Sequence, residues 1–260
     1  MRPALLLLLL LPLLACADPY YQGPGFTPEQ QYAATAEIAG GQAPVRRPMS
    51  EEQAKQAVAR VARRLAPAGS SACQELGRSC NWRFIYDPSQ ELNAAATGEG
   101  DIIIQRGVAE YARTDDEMAF VIAHEMAHHA ANHVQSTTQR AQIGGALAGI
   151  LASLAGAYAG VSADGLAQGA AGIGSKLAVI SYSKAQEREA DAIGATIMRR
   201  AGYDVAQART MLLALARLSG RTETSLLSTH PAGPDRIASF DAAVADMQAA
   251  NWRLGRSQGG

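Results

Sequence analysis

Val121-Ile122-Ala123-His124-Glu125-Met126-Ala127-His128 contains the pattern H-E-x-x-H. On an α-helix, residues four apart lie one turn apart on the same face. His124 and His128 can therefore aim two imidazoles at one ion, and Zn²⁺ takes imidazole nitrogen at roughly 2.0–2.1 Å. Glu125 stands beside such an ion rather than on it, placed to take a proton from water. The flanks predict a helix. Thr114 and Glu117 fit a capping box, and Asp115 and Asp116 fall at the positive end of the helix dipole. Met118, Val121, Ile122 and Met126 supply an apolar face to bury.

Two histidines need a third ligand. The metzincin pattern requires Gly and His three and six residues after the second His; those positions hold Ala131 and Val134, which excludes it. The alternative is a Glu from a later helix, and the chain offers Glu187-Arg188-Glu189-Ala190-Asp191. Glu187 and Asp191 share a helix face. Glu189 lies about 160° around the helix from Asp191. Choosing it would separate the ligand from the carboxylate that can fix a ligand histidine's tautomer. Glu187 is therefore the expected ligand and Asp191 its support. His133, five residues past His128, is expected to point away from the ligand face. His129 and His133 are read as supporting or surface residues.

With these residues the chain resembles the zinc metallopeptidases that include HtpX and the CAAX prenyl proteases. The likeness is to the soluble, lipid-anchored periplasmic branch of LoiP and BepA type. Four segments match in order: Asn93-Ala94-Ala95-Ala96, His124 to His128, Glu187 to Asp191, and Thr229-His230-Pro231 followed by Asp235-Arg236-Ile237. The resemblance covers roughly residues 80 to 245. It implies a gluzincin domain, mainly α with a small β-sheet, holding one Zn²⁺ per chain on His124, His128 and Glu187. Glu125 is the implied general base. His230 either donates to the developing oxyanion or occupies the water position as a fourth ligand. Arg236 assists there or pairs with acids. The implied function is a metalloendopeptidase that degrades misfolded or misassembled envelope proteins. The alternative is an outer-membrane protein assembly factor or chaperone with little or latent proteolysis.

The start of the chain points to export. Arg2 and the run Leu5 to Leu11 read as a signal peptide over 1–15, and Leu13-Leu14-Ala15-Cys16 resembles the bacterial lipobox. Cys16 is then the lipidated residue. Ala17 follows it, which favours the periplasmic side of the outer membrane over the inner membrane. Residues 16–49, rich in Pro and Gly, read as a flexible tether, with Tyr20 and Tyr21 near the membrane interface or in plain linker. Cys73 and Cys80 remain to form a disulfide in an oxidising compartment. The net charge of -1 gives no ground for a nucleic-acid partner. Unfolded envelope proteins, the membrane through the anchor, and outer-membrane assembly machinery are the expected partners.

The catalytic domain is expected over 50–250 and a loose polar tail over 251–260. Ser50 with Gln53 opens a helix predicted to run to Pro67. Trp82 to Tyr86 and Asp101 to Gln105 read as strands. By analogy with other gluzincins, a strand edge beside the cleft would receive substrate backbone. Asp204 with Gln207 predicts a further helix start. Ile143 to Ala163 carries no charge. Its many glycines and few large side chains favour a helical hairpin over a membrane span.

Overall fold

The computed structural model describes residues 19–142, 181–219 and 230–254. The signal peptide, Cys16, the apolar stretch 143–163, Thr229 and the tail 255–260 lie outside the described residues. The described chain is mainly helical with one small sheet. Helices α1 (Pro28–Gly40) and α2 (Glu51–Glu75) precede strands β1 (Arg83–Asp87), β2 (Ala94–Ala96) and β3 (Asp101–Gln105). Helices α3 (Arg106–Tyr111), α4 (Asp115–Ala130), α5 (Lys184–Arg200), α6 (Val205–Leu218) and α7 (Pro234–Ala249) follow. Among the described residues no helix is long and apolar enough to cross a membrane.

Helix α4 is the centre. Every residue from Glu117 to Ala130 is buried, as expected of a helix surrounded by other elements and not laid on one face. Helices α2, α5 and α6 and strand β2 pack around it. At Gly194, α5 comes up against the backbone of α4. A Cβ there would lie 3.2 Å from the His124 backbone nitrogen and 3.3 Å from the Ala123 carbonyl carbon. Glycine thus sets the spacing of the two helices that carry the candidate ligands.

The sheet has order β1-β3-β2, with β1 parallel and β2 antiparallel to β3. Ile102 and Ile104 alternate inward and are fully buried. β2 is an edge strand, three residues long, lying over α4.

Four expectations on local structure need correction. Helix α2 does not stop at Pro67 but runs through it to Glu75. An interior proline costs about 3 kcal/mol; burial of Ala68, Ala72 and Cys73 on the same helix offsets it. The helix ends where Gly77 adopts φ 73° and Arg78 N–H donates to Cys73 O, a left-handed closure. Cys73 and Cys80 are joined by a disulfide across this turn.

The second correction shifts the first strand one residue, to Arg83–Asp87. The third concerns the tether. Residues 28–40 are helical, capped by Thr27 and Gln30 in a complete capping box with Pro28 in the first turn. This helix packs on α7 and α6, and Tyr21 is buried with its hydroxyl donating to Asp246. The fourth is at the C-terminal end, where Leu254 is buried and its N–H donates to Glu75.

Candidate metal centre

Thr114 Oγ1 accepts from Glu117 N–H at 3.1 Å and starts α4. The capping box is only half made: Glu117 reaches one residue further back, to Arg113 N–H at 2.6 Å. Along α4, His124 and His128 share one face with ring centroids 4.6 Å apart. Opposite, α5 presents Glu187 and Asp191. Its start is fixed by a complete capping box between Ser183 and Gln186. His230 enters just ahead of α7, and Arg236 stands on the first turns of α7.

One ligand atom from each of His124, His128, Glu187 and His230 lies within 4.8 Å of the others, and all four residues are buried. The individual separations are tighter still. His124 Nε2 is 3.0 Å from His128 Nε2 and 3.2 Å from His230 Nδ1. Glu187 Oε1 is 2.9 Å from His230 Nδ1 and 3.3 Å from His128 Nε2. Glu187 Oε2 is 3.4 Å from His124 Nε2. Ligand atoms at roughly 2.0–2.1 Å around tetrahedral zinc stand roughly 3.3–3.4 Å apart. Separations of 2.9 to 3.4 Å therefore fit such an ion with little adjustment.

Charge supports the same fit. Three carboxylates, Glu125, Glu187 and Asp191, and one guanidinium, Arg236, touch the cluster in a buried setting. With the imidazoles neutral, as metal ligation requires, two negative charges are left over, which a divalent cation would balance, and buried charge without a partner is costly.

The supporting groups hold the ligands in definite states. Asp191 Oδ1 lies 2.9 Å from His124 Nδ1, so the His124 Nδ1–H donates there and Nε2 faces the other ligands. Arg236 grips Asp191 with two bonds of 2.7 Å and reaches Glu187 Oε2 at 2.8 Å. Burial and Arg236 both oppose protonation of His124, but Asp191 and Glu187 outweigh them and push it up to about 9. Burial opposes ionisation of Asp191, yet Arg236 and His124 hold it below the usual range. Burial lowers His128 well below the ordinary histidine value. Tyr182 stacks on His128 at 3.8 Å between centroids.

Glu125 is not in the ligand set. Its Oε2 accepts from Ala96 N–H on β2 at 3.0 Å. Its Oε1 has no hydrogen-bond partner and lies 3.4 Å from His230 Nε2. Burial raises its pKa, partly offset by His230 and His124. A carboxylate with raised pKa and a free lone pair beside a metal-ligand cluster is suited to accept a proton.

The sequence model of peptidase family M48 matches residues 52–244. The chain belongs to this family. M48 enzymes are metallopeptidases that use zinc, and the mainly helical domain with its small sheet is the gluzincin fold the resemblance implies. The chain is 31% identical over 162 residues to the beta-barrel assembly-enhancing protease of Escherichia coli strain K12, and equally so to that of Shigella flexneri. The protein of the same name from Escherichia coli O157:H7 is 32% identical over the same length. These matches take in 60% of this chain and 33% of each relative, so the chain spans about a third of their length.

Every described residue singled out for the M48 site lies in this one cluster. His133 does not point away as continuous helical geometry required. The helix ends at Ala130, Asn132 adopts φ 63°, and the chain re-enters helix at His133. The left-handed residue turns the His133 ring back to His128, with Nδ1 to Nδ1 at 3.0 Å. Glu189, weighed from sequence as a rival ligand, instead contacts His133, and Tyr182 is the contact that sequence reasoning missed. An Asn closing an apolar helix was the signal for His133; Tyr182 belongs to no motif and had none.

Proposed function

We propose that the chain is a zinc-dependent metalloendopeptidase of the bacterial periplasm, held by lipid at Cys16 to the outer membrane and acting on misfolded or misassembled envelope proteins. One observation carries the reading. Glu125 is buried beside the ligand set, outside it, with one carboxylate oxygen uncommitted. A purely structural metal site has no use for such a group.

Zinc, when bound, acidifies water and polarises a carbonyl. His124, His128 and Glu187 would hold it. Glu125 takes the proton of the attacking water and later delivers it to the leaving amine. The Ala96 N–H fixes the orientation of that carboxylate. Main-chain groups on the edge of β2 pair with an extended substrate, which asks for an unfolded chain and no fixed sequence. Asp191, clamped by Arg236, keeps the His124 lone pair directed at the ion.

His230 decides the resting state. Its Nδ1 sits among the ligand atoms and not at a distance suited to an oxyanion in front of them. We read it as a fourth ligand that keeps the enzyme latent until it withdraws. The same geometry suits the alternative, an assembly factor with little proteolysis, to which the relatives' name also points. Digestion of casein tests the reading. Chelator should abolish it and added zinc restore it, and His230→Ala should raise it. Digestion indifferent to chelator would exclude the metallopeptidase reading. A His230→Ala protein that binds zinc but cuts nothing would favour the assembly factor.

A further inference from the structure

We propose that Glu189 and His133 are positioning residues for His128, forming a second support of the metal centre separate from Asp191 and Arg236. The proposal rests on the reading of His128 as a metal ligand. Glu189 and His133 are both buried, at 4% exposure each, and neither belongs to the ligand set. Glu189 Oε2 lies 3.0 Å from His133 Nε2. A carboxylate accepts, so the His133 Nε2–H donates. The Nδ1 of neutral His133 is then a lone pair, and it faces His128 Nδ1 at 3.0 Å. His128 must supply the hydrogen on its own Nδ1. Its Nε2 is left as the lone pair that points at the other three ligands.

The second oxygen of Glu189 is also engaged. It accepts from Tyr21 N–H at 3.0 Å, so both oxygens of the carboxylate are held. Tyr182 stacked on His128 limits tilting of that ring out of its plane. His124 thus has a carboxylate directly on its outer nitrogen, whereas His128 has a carboxylate acting through one intervening imidazole. Both arrangements force the same tautomer.

The test is zinc affinity, measured by competition with a chromophoric chelator on the purified full chain. His133→Phe keeps a ring and removes both nitrogens. It should weaken zinc binding by about 10–100-fold, the range for outer partners of ligand histidines. Glu189→Leu should do the same. The double variant should be no worse than either single one, because the two act in one chain. Glu189→Gln retains an acceptor for His133 and should stay closer to the parent than Glu189→Leu. It guards against a Leu variant that does not fold. Melting of each protein without metal separates support of the ring from general stability. Affinity within twofold of the parent in folded His133→Phe overturns the proposal, as does an additive double variant. Glu187→Ala serves as the control. If it too binds zinc like the parent, the ligand assignment has failed and not the support.

Discussion

Helix α4 and the N-terminal segment 19–49 are held in place by different balances of packing and polar contact. Helix α4 is enclosed on all sides, with Phe120, Ile122 and Met126 fully buried among apolar neighbours. The N-terminal segment lays Tyr21, Ala34 and Ile38 on the core and is tied down further by polar groups reaching from distant parts of the chain. Arg209 joins Glu37 on α1 to Asp241 on α7. Glu110 accepts from Arg46 and from Met49 N–H, and Tyr21 contacts Glu189 and Asp246. Burial is roughly additive in area and gives large contributions, whereas exposed ion pairs give little. The centre should therefore resist perturbation far less well per substitution than the strap around it.

The largest loss should come from Arg236→Ala. It leaves Asp191 and Glu187 buried without their guanidinium, and breaking such a pair costs about 3–5 kcal/mol. Urea unfolding of the metal-free protein measures it, and a loss below about 1 kcal/mol would remove the contrast. Gly194→Ala comes next. The added methyl meets the α4 backbone, which cannot rotate away, so about 1–3 kcal/mol should be lost with zinc affinity reduced alongside. Unchanged melting would show that α4 and α5 can part freely.

Glu110→Gln sharpens the comparison on the strap side. Glu110 is buried, which opposes ionisation, but Arg46, Met49 N–H and Arg106 hold its pKa below the usual carboxylate range. A depressed folded pKa means stability that is present above the unfolded value, about 4.3, and lost as pH falls through the folded one. The substitution should cost about 1–3 kcal/mol at pH 7 and flatten the fall in stability on acidification. Stability that falls with acid as steeply as the parent's would locate that dependence elsewhere. Arg209→Ala, whose partners are surface groups, should cost only about 0.2–1 kcal/mol. A larger cost in a melting curve would mean the strap behaves as core.

The same contrast governs what could be read from sequence. His124, Glu125 and His128 are fixed by one helical period. Glu187 and Asp191 are fixed by another, so the structure places them as the spacing requires. The ends of the helices were readable at Ser50, where both halves of the capping box form, and only half readable at Thr114. Pro67 misled because its local cost is overridden by packing that no neighbouring residue announces. Residues 28–40 misled because the partners of Glu37, Arg209 and Arg217, are 172 and 180 positions away in the chain, and because the Pro and Gly residues that flank the stretch read as linker. His133 required knowing that Asn132 would turn left-handed, which depends on where the buried helix stops.

Glu125→Gln tests the central claim most directly. The change keeps volume and removes the basic carboxylate of a residue that is not a ligand. Digestion of an unfolded substrate and zinc content should be measured on the same preparation. Zinc content and melting temperature should match the parent while digestion falls by about 10²–10⁴-fold, the range for loss of general acid–base catalysis. A variant that holds zinc and digests as fast as the parent would contradict the account.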